Sequence, residues 1–129
     1  MSYYFSKTVK SDFDHTITAV TEALKQEGFG LLTDIDVKQT FKRKLNIDFK
    51  NYRILGACNP QFAYRALQTE DKIGTMLPCN VIVQEEVGGM VTVAAIDPTV
   101  SMQGVKNPDL AEIAHEVRVH LKRVIDQLN

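Results

Sequence analysis

Two adjacent glycines, Gly88 and Gly89, constrain the fold of this chain more than any other feature. They separate two runs rich in β-branched residues, 79–87 and 90–97. Glycine adopts positive φ without a steric penalty, and two such residues between β-rich runs are a strong hairpin signal. The pattern therefore predicts an antiparallel hairpin, and with it an antiparallel sheet.

A two-residue loop at Gly88 and Gly89 would also fix the register of this hairpin. The predicted pairs are Val87 with Met90, Glu85 with Thr92, Val83 with Ala94, Val81 with Ile96, and Asn80 with Asp97. Because side chains alternate between the faces of a strand, one face would then mix polar residues with Ile82, Val91, Val93 and Ala95. Monomeric proteins rarely expose an apolar strip that is surrounded by polar groups. We therefore expect a homodimer that associates through these four residues.

The remaining elements follow from hydrophobic periodicity and from helix start and stop signals. Strands are predicted over 3–10, 29–37 and 52–58, the last of these in the sheet interior because it is apolar on both faces. Helices are predicted over 12–28, 38–46 and 59–71, the third with Asn59 as N-cap and Pro60 at its first position. A long final helix carries an apolar stripe from Leu110 to Leu128, and the segment 98–108 before it is expected to be a mobile connection.

These elements predict an α+β fold in one domain, residues 1–129. The expected order is β-α-β-(α)-β-α-β-β-α, with a single antiparallel-dominated sheet of about five strands and the helices packed on one face. A chain of 129 residues with 44% hydrophobic content can bury a core without disulfides or metals.

Charge and composition exclude several function classes. With 15 basic and 16 acidic residues the chain lacks the basic field that drives nucleic-acid binding. No window approaches 18 apolar residues and no signal-peptide pattern is present, so we expect a soluble, cytoplasmic protein without a membrane partner. Three charges in a row, at 42–44, are read as the solvated face of a short helix.

The two cysteines are the best candidates for chemistry. Cys58 ends one predicted strand and Cys79 begins another, and their spacing matches no zinc or thioredoxin motif. An extended return through 72–78 would make the two strands antiparallel and bring both thiols to one rim of the sheet; otherwise they lie at opposite ends. The candidate ligand-binding residues at that rim are Cys58, Asn59, Cys79, Asn80 and Asp97, and the candidate metal ligands are Cys58 and Cys79.

Three interpretations of the thiols remain open. Free cysteines are commonly buried as small hydrophobic side chains, but they could also line a metal or ligand pocket, or Cys58 could be a nucleophile. Backbone amides beyond the Asn59 cap could lower the pKa of Cys58. Glu85 is expected to reach the rim of the sheet, or else to be buried beside a partner such as Thr92.

Three sequence pieces carry a family resemblance. The stretch from Gly56 to Pro60, the stretch from Met76 to Val83, and Asp97 with Pro98 occur in this order before a long amphipathic helix. Together they resemble the bacterial and archaeal family called domain of unknown function 302, over nearly the whole chain. The resemblance implies a compact, dimeric α+β domain and implies no activity. The residues that match the family pattern are Cys58, Asn59, Pro60, Pro78, Cys79, Asp97 and Pro98.

The sequence therefore supports a homodimeric binding or regulatory module with a small-ligand or metal site near Cys58 and Cys79. The alternatives are a thiol-dependent enzyme that uses Cys58 and a pure protein-interaction module. An enzyme of this kind needs a base near its thiol, and no histidine is close to either cysteine in sequence. No particular cofactor is indicated.

Overall fold

The computed structural model of the chain describes residues 2–129. Five strands form one antiparallel sheet in the order β1-β5-β4-β3-β2. The strands are β1 (Tyr4–Val9), β2 (Gly30–Asp36), β3 (Tyr52–Cys58), β4 (Cys79–Glu85) and β5 (Val91–Ile96). The helices are α1 (Phe13–Gln26), α2 (Val37–Leu45), α3 (Pro60–Thr69), α4 (Pro98–Ser101) and α5 (Pro108–Asp126), with a 3-10 helix over Asp71–Met76 between α3 and β4. The predicted α+β class, the five-stranded sheet and the order of its main elements are confirmed.

Helix α5 is the centre of the helical layer that covers one face of the sheet. It contacts α1, α3, α4, β1 and β5. The predicted stripe is buried along its whole length, and the residues that form it are Leu110, Ile113, Ala114, Val117, Leu121, Val124, Ile125 and Leu128. The helix begins at an Asn107 cap whose side chain accepts a hydrogen bond from the Leu110 amide, with Pro108 at the first position.

The predicted hairpin forms, but its predicted register is wrong by one residue. Val81 pairs with Ala95 and Val83 with Val93. The loop contains three residues because the Glu86 amide donates to the Met90 carbonyl, and Gly88 and Gly89 both take positive φ, at 91° and 85°. A one-residue slip moves every side chain of the second strand to the other face of the sheet.

This slip overturns the predicted composition of the two faces. Val91, Val93 and Ala95 are fully buried under the helices, in the same layer as Val81 and Val83. Ile82 alone of the four predicted interface residues lies on the open face. The three buried residues cannot form a surface for a partner.

The segment after β5 also differs from its prediction. Residues 98–101 form the short helix α4, and Met102 after it is buried in the core. The Asp97 side chain caps this helix by accepting a hydrogen bond from the Thr99 amide at 3.0 Å. The prediction of a mobile connection missed α4 because four residues are too few to show a helical period.

Candidate functional site

An apolar cavity lies between α3, α5 and the adjoining ends of β3 and β4. Its volume is about 40 Å³, which is space for roughly three water molecules. Among its lining residues described by the structure, none is charged. The lining comprises Phe29, Ala57, Cys58, Asn59, Phe62, Ala63, Ala66, Leu77, Pro78, Cys79, Pro98, Met102, Leu110, Ile113, Ala114 and Val117. A cavity with so few polar partners does not hold water well, so an apolar or soft ligand suits it best.

Strand pairing brings Cys58 and Cys79 to this cavity together. Strands β3 and β4 are antiparallel, and Ala57 pairs directly with Cys79, so Cys58 is the next residue along. The return from α3 is made by the compact 3-10 helix over Asp71–Met76, not by an extended segment. Cys58 and Cys79 therefore lie at the same end of the sheet, as one of the two predicted arrangements requires, although the connecting path is different.

Both thiols are held in their neutral form. Burial raises the pKa of Cys58, and burial together with the neighbouring Cys58 raises the pKa of Cys79 to about 11. The prediction that the start of α3 would lower the pKa of Cys58 is therefore wrong in direction. A protonated thiol is a weak nucleophile, which weighs against the enzyme interpretation.

Asn59 occupies the predicted N-cap position but does not act as a side-chain cap. Pro60 is at the first position of α3, and the Asn59 side chain makes no hydrogen bond to the helix. Instead its Nδ2 donates to the Glu27 carbonyl oxygen at 3.4 Å. Asn59 also packs so closely on Gly28 that a Cβ there would lie 2.9 Å from Nδ2. The asparagine thus ties the end of α1 to the start of α3, beside the cavity.

Two of the five predicted rim residues do not line the cavity. Asn80 pairs with Gly56 and is exposed on the open face of the sheet, opposite to the helices. Asp97 is buried, accepts hydrogen bonds from the Thr99 hydroxyl at 2.7 Å and from Arg118 Nε at 3.1 Å, and holds α4 in place. Its neighbour Pro98 lines the cavity instead. Asp97 is therefore a supporting residue of the cavity wall.

The charge of Asp97 is stabilised where it is buried. Desolvation acts to raise the pKa of Asp97, but the hydrogen bonds from Thr99 and Arg118 outweigh it and hold this pKa below the usual value of 3.8. The carboxylate is therefore ionised at neutral pH. Its salt bridge with Arg118 links the end of β5 to the middle of α5.

Sequence reasoning missed one polar pair near the cavity. His120 Nδ1 lies 2.7 Å from Glu27 Oε1, and the His120 ring packs against Phe62 with centroids 5.5 Å apart. Phe62 lines the cavity, so it stands between the cavity and the imidazole. Neither residue gave a signal, because the pair joins the end of α1 to the last third of α5 across 93 positions.

The metal candidate consists of the two thiols. Within residues 2–129, no cluster of three or more histidine, cysteine, aspartate or glutamate side chains could hold a metal ion. Met102, which sequence reasoning left in a loop, adds a third sulfur to the cavity lining.

Glu85 lies at the rim of the sheet, the first of its two predicted positions. Its carboxylate accepts a hydrogen bond from Asn51 Nδ2 at 3.3 Å, and its strand neighbour across the hairpin is Val91. The predicted alternative partner, Thr92, instead pairs with Gln84 and contacts the Thr8 hydroxyl.

The open face of the sheet forms a second, wider concavity of about 440 Å³. Tyrosine, amide and hydroxyl side chains surround a centre of small aliphatic residues. The lining consists of Tyr3, Tyr4, Ser6, Tyr52, Asn80, Ile82, Gln84, Thr92, Ala94 and Ile96, together with the fully buried Ala95 between the last two. Tyr3 and Tyr4 are 61% and 44% exposed, so this groove presents aromatic surface to solvent.

The fold and the cavity define an α+β domain with an open antiparallel sheet and a thiol-lined pocket under its helices. The profile of the family described as "Domain of unknown function DUF302" matches residues 5–128. The chain belongs to this family, as the sequence resemblance predicted.

A solved structure of the same family has the same fold. It is the crystal structure of an uncharacterized conserved DUF302 protein from Bacillus stearothermophilus, which is similar to this chain at 32% identity with a TM-score of 0.93. The similarity covers 100% of both chains. A comparison with curated proteins found no match. In the described part of the chain, no helix has the length and apolar character needed to cross a membrane.

Proposed function

We propose that this protein is a binding module whose ligand occupies the cavity beside Cys58 and Cys79. The observation that carries the proposal is the lining of that cavity, in which two cysteines lie among aliphatic and aromatic residues and none of the described residues is charged. Ligand sites are concave and mostly apolar, with few polar groups that fix orientation. Among the described lining residues, Asn59 and the two cysteines supply the polar side-chain atoms.

A binding role fits the thiols better than nucleophilic catalysis does. Nucleophilic cysteines are activated by a lowered pKa or by an adjacent base, whereas the pKa of Cys58 is raised by burial. Both cysteines are free, which is typical of a reducing compartment, and we propose a cytoplasmic location on that ground.

Native mass spectrometry of the purified protein tests the cavity proposal. We expect a bound species of added mass that is lost in Ala114→Leu, because the larger side chain fills the cavity. Ala111→Leu is the matched control, since Ala111 is exposed on the same helix. Overpacking costs typically 1–3 kcal/mol, so circular dichroism must first establish that both variants are folded. Two results together would refute the proposal. The wild-type mass would equal that of the bare chain, and no small molecule or metal from a screen would bind differently to the two variants.

We also propose that the module is a homodimer formed through the groove on the open sheet face. Support comes from its composition: exposed tyrosines surround Ile82, Ala94 and Ile96, and the described lining has no charged residue. Aromatic residues are enriched and charged residues depleted at the cores of interfaces. The partner surface is a second copy of the same face, because two-fold interfaces are self-complementary.

Sedimentation velocity at micromolar concentration tests this dimer. Wild type is expected to sediment as a dimer and Ile82→Asp as a folded monomer, because the charge would be buried without a partner in the interface. Val87→Asp is the control, since Val87 is fully exposed at the hairpin loop. A monomeric wild type, or a dimer that survives Ile82→Asp, contradicts the proposal.

A further inference from the structure

Helix α2 differs from the other helices of residues 2–129 because none of its residues is buried. Its last residue and the segment after it expose two large apolar side chains, Leu45 at 62% and Ile47 at 46%. Most of the stability of a protein helix comes from the packing of an apolar face. A partner that covers α2 would supply packing that the protomer lacks.

Aromatic contacts place α2 beside the open face of the sheet. The Phe41 ring of α2 meets the Phe49 ring edge-on with centroids 5.2 Å apart, and the Phe49 ring centroid lies 6.2 Å from that of Tyr52. Tyr52 lines the groove on the open face. The helix and the groove are therefore neighbouring parts of one surface.

An apolar row connects the groove to the sheet edge near α2. It consists of four residues that pair in turn across β2, β3, β4 and β5, namely Ile35, Ile54, Ile82 and Ala94. Directly opposite residues of antiparallel strands have their side chains on the same face, and Ile82 and Ala94 line the groove. Ile35 ends the row two residues before α2 begins and is 47% exposed. The apolar surface thus extends from the groove to the helix.

We propose that α2 of one protomer docks on the open-face groove of a second copy of the chain, whose own α2 docks on the first in the same way. This inference rests on the proposed homodimer and names the segment that occupies the groove. In a two-fold interface the same patch serves both subunits, so a concave groove requires a protruding apolar segment on the same face. Leu45 and Ile47, exposed beside the groove, meet this requirement.

Charge favours this arrangement over one in which the two α2 helices contact each other. Helix α2 has four basic side chains and no acidic one: Lys38, Lys42, Arg43 and Lys44. Within residues 2–129, only Lys42 among them has an ion-pair partner, Asp48. Two such helices side by side would repel each other, and like charges that face each other oppose association. The described groove lining has no charged residue, so α2 can approach it without repulsion and keep its basic side chains in water at the rim.

Photo-crosslinking in dimers of mixed isotope composition tests where α2 docks. Benzoylphenylalanine replaces Leu45 in unlabelled chains, which are then exchanged with heavy-isotope-labelled wild-type chains. We expect crosslinks between the unlabelled peptide that contains position 45 and a labelled peptide from β4 or β5 of the second copy. The same probe in place of Tyr64, an exposed residue of α3, is the control and should give no such crosslink. Crosslinks from position 45 only within its own chain, or only to α2 of the second copy, overturn the proposal.

Sedimentation equilibrium measures how much the α2 contact contributes to the dimer. Leu45→Arg and Ile47→Arg should each raise the dimer dissociation constant about tenfold or more, because the added charge would be buried without a partner against an apolar groove. Arginine suits the C-terminal end of a helix, so circular dichroism should show both variants folded. Val119→Arg, at a 47% exposed apolar position on α5, is the control and should stay within about twofold of wild type. An increase smaller than about tenfold in both α2 variants overturns the proposal.

Failure of the dimer and failure of the α2 contact give different results. If wild type is monomeric, the homodimer and the docking of α2 are both wrong. If wild type dimerises and Ile82→Asp dissociates the dimer while the two α2 variants do not, the homodimer stands and only the docking of α2 is wrong.

Discussion

The two faces of the sheet differ in what they bury and in what they leave exposed. On the helix-covered face, Val81, Val83, Val91, Val93 and Ala95 are 0% exposed. The open face carries tyrosine, amide and hydroxyl side chains around Ile82 and Ala94. Both faces come from the same strands, with alternate residues pointing to each side. The difference shows how much one loop residue matters. With Val87 in the loop, the register of β5 places Val91, Val93 and Ala95 in the core instead of the alternate residues.

The strongest test of this comparison uses neighbouring residues on β5. Val93→Asp is expected to unfold the domain, because it places a charge without a partner in the core at a cost of more than about 4 kcal/mol. Ala94→Asp should leave the protomer folded at a cost of less than about 1 kcal/mol, since position 94 faces the groove, and it should weaken the proposed dimer as Ile82→Asp does. Urea unfolding followed by circular dichroism measures both. The two-residue loop would predict the opposite result, so an unfolded Ala94→Asp with a folded Val93→Asp would refute the three-residue loop.

A second test removes the Asp97 carboxylate, which caps α4 and links the end of β5 to α5. Asp97→Ala is expected to destabilise the protein by about 2–4 kcal/mol, because it leaves α4 uncapped and Arg118 without its buried partner. Asp48→Ala is the control, since the Asp48 side chain is 91% exposed in its ion pair with Lys42. That variant should lie within about 0.5 kcal/mol of wild type in the same unfolding measurement. Equal losses of unfolding free energy in the two variants would contradict a stabilising role for Asp97.

Glycines on adjacent strands test how tightly the open face is packed. A Cβ at Gly56 would lie 2.7 Å from Pro78 Cγ and would also meet the Thr33 hydroxyl, whereas a Cβ at Gly30 would meet nothing within 4 Å. We expect Gly56→Ala to cost about 1–3 kcal/mol and Gly30→Ala to be neutral or slightly stabilising. Thermal denaturation compares the pair. A neutral Gly56→Ala would mean that Thr33 and Pro78 move aside without cost.

The smallest expected effect is the pH dependence of the stability that the Asp97 carboxylate contributes. Because the pKa of Asp97 is lowered in the folded state, its stabilising contribution is fully present above the unfolded value of about 3.9 and is lost as pH falls through the folded pKa. Asp97→Asn cannot be protonated in this range. The stability gap between wild type and Asp97→Asn should therefore be constant from pH 7 to 5 and shrink below pH 4. A gap that is unchanged at pH 3 would contradict the assigned shift.

Local sequence patterns predicted most of the elements. Contacts between residues far apart in the chain explain what those patterns missed. The stripe of α5 spans five turns, so its period was unambiguous. The hairpin was predicted for the right reason, but two glycines are compatible with loops of two or three residues, and only the hydrogen bond between Glu86 and Met90 distinguishes them.

The candidate site was predictable in part. Cys58 and Cys79 are at the ends of strong strands, so their meeting depended only on whether those strands were antiparallel. Phe62, Met102 and the His120 pair reach the same region through contacts between elements far apart in the chain. No local period carries that information, which is why the strand pattern could suggest a rim with two cysteines without describing the cavity behind it.

The placement of β1 has a consequence for how the chain is made. This strand is at one edge of the sheet, and its partner within residues 2–129, β5, begins 82 residues after β1 ends, counting from Val9 to Val91. During synthesis the N-terminal strand leaves the ribosome long before β5 exists, so it waits unpaired until most of the chain has emerged. Contacts of such high sequence separation form slowly because the loop between them must close first. The edge strand β1 is therefore synthesised well before the strand that it pairs with.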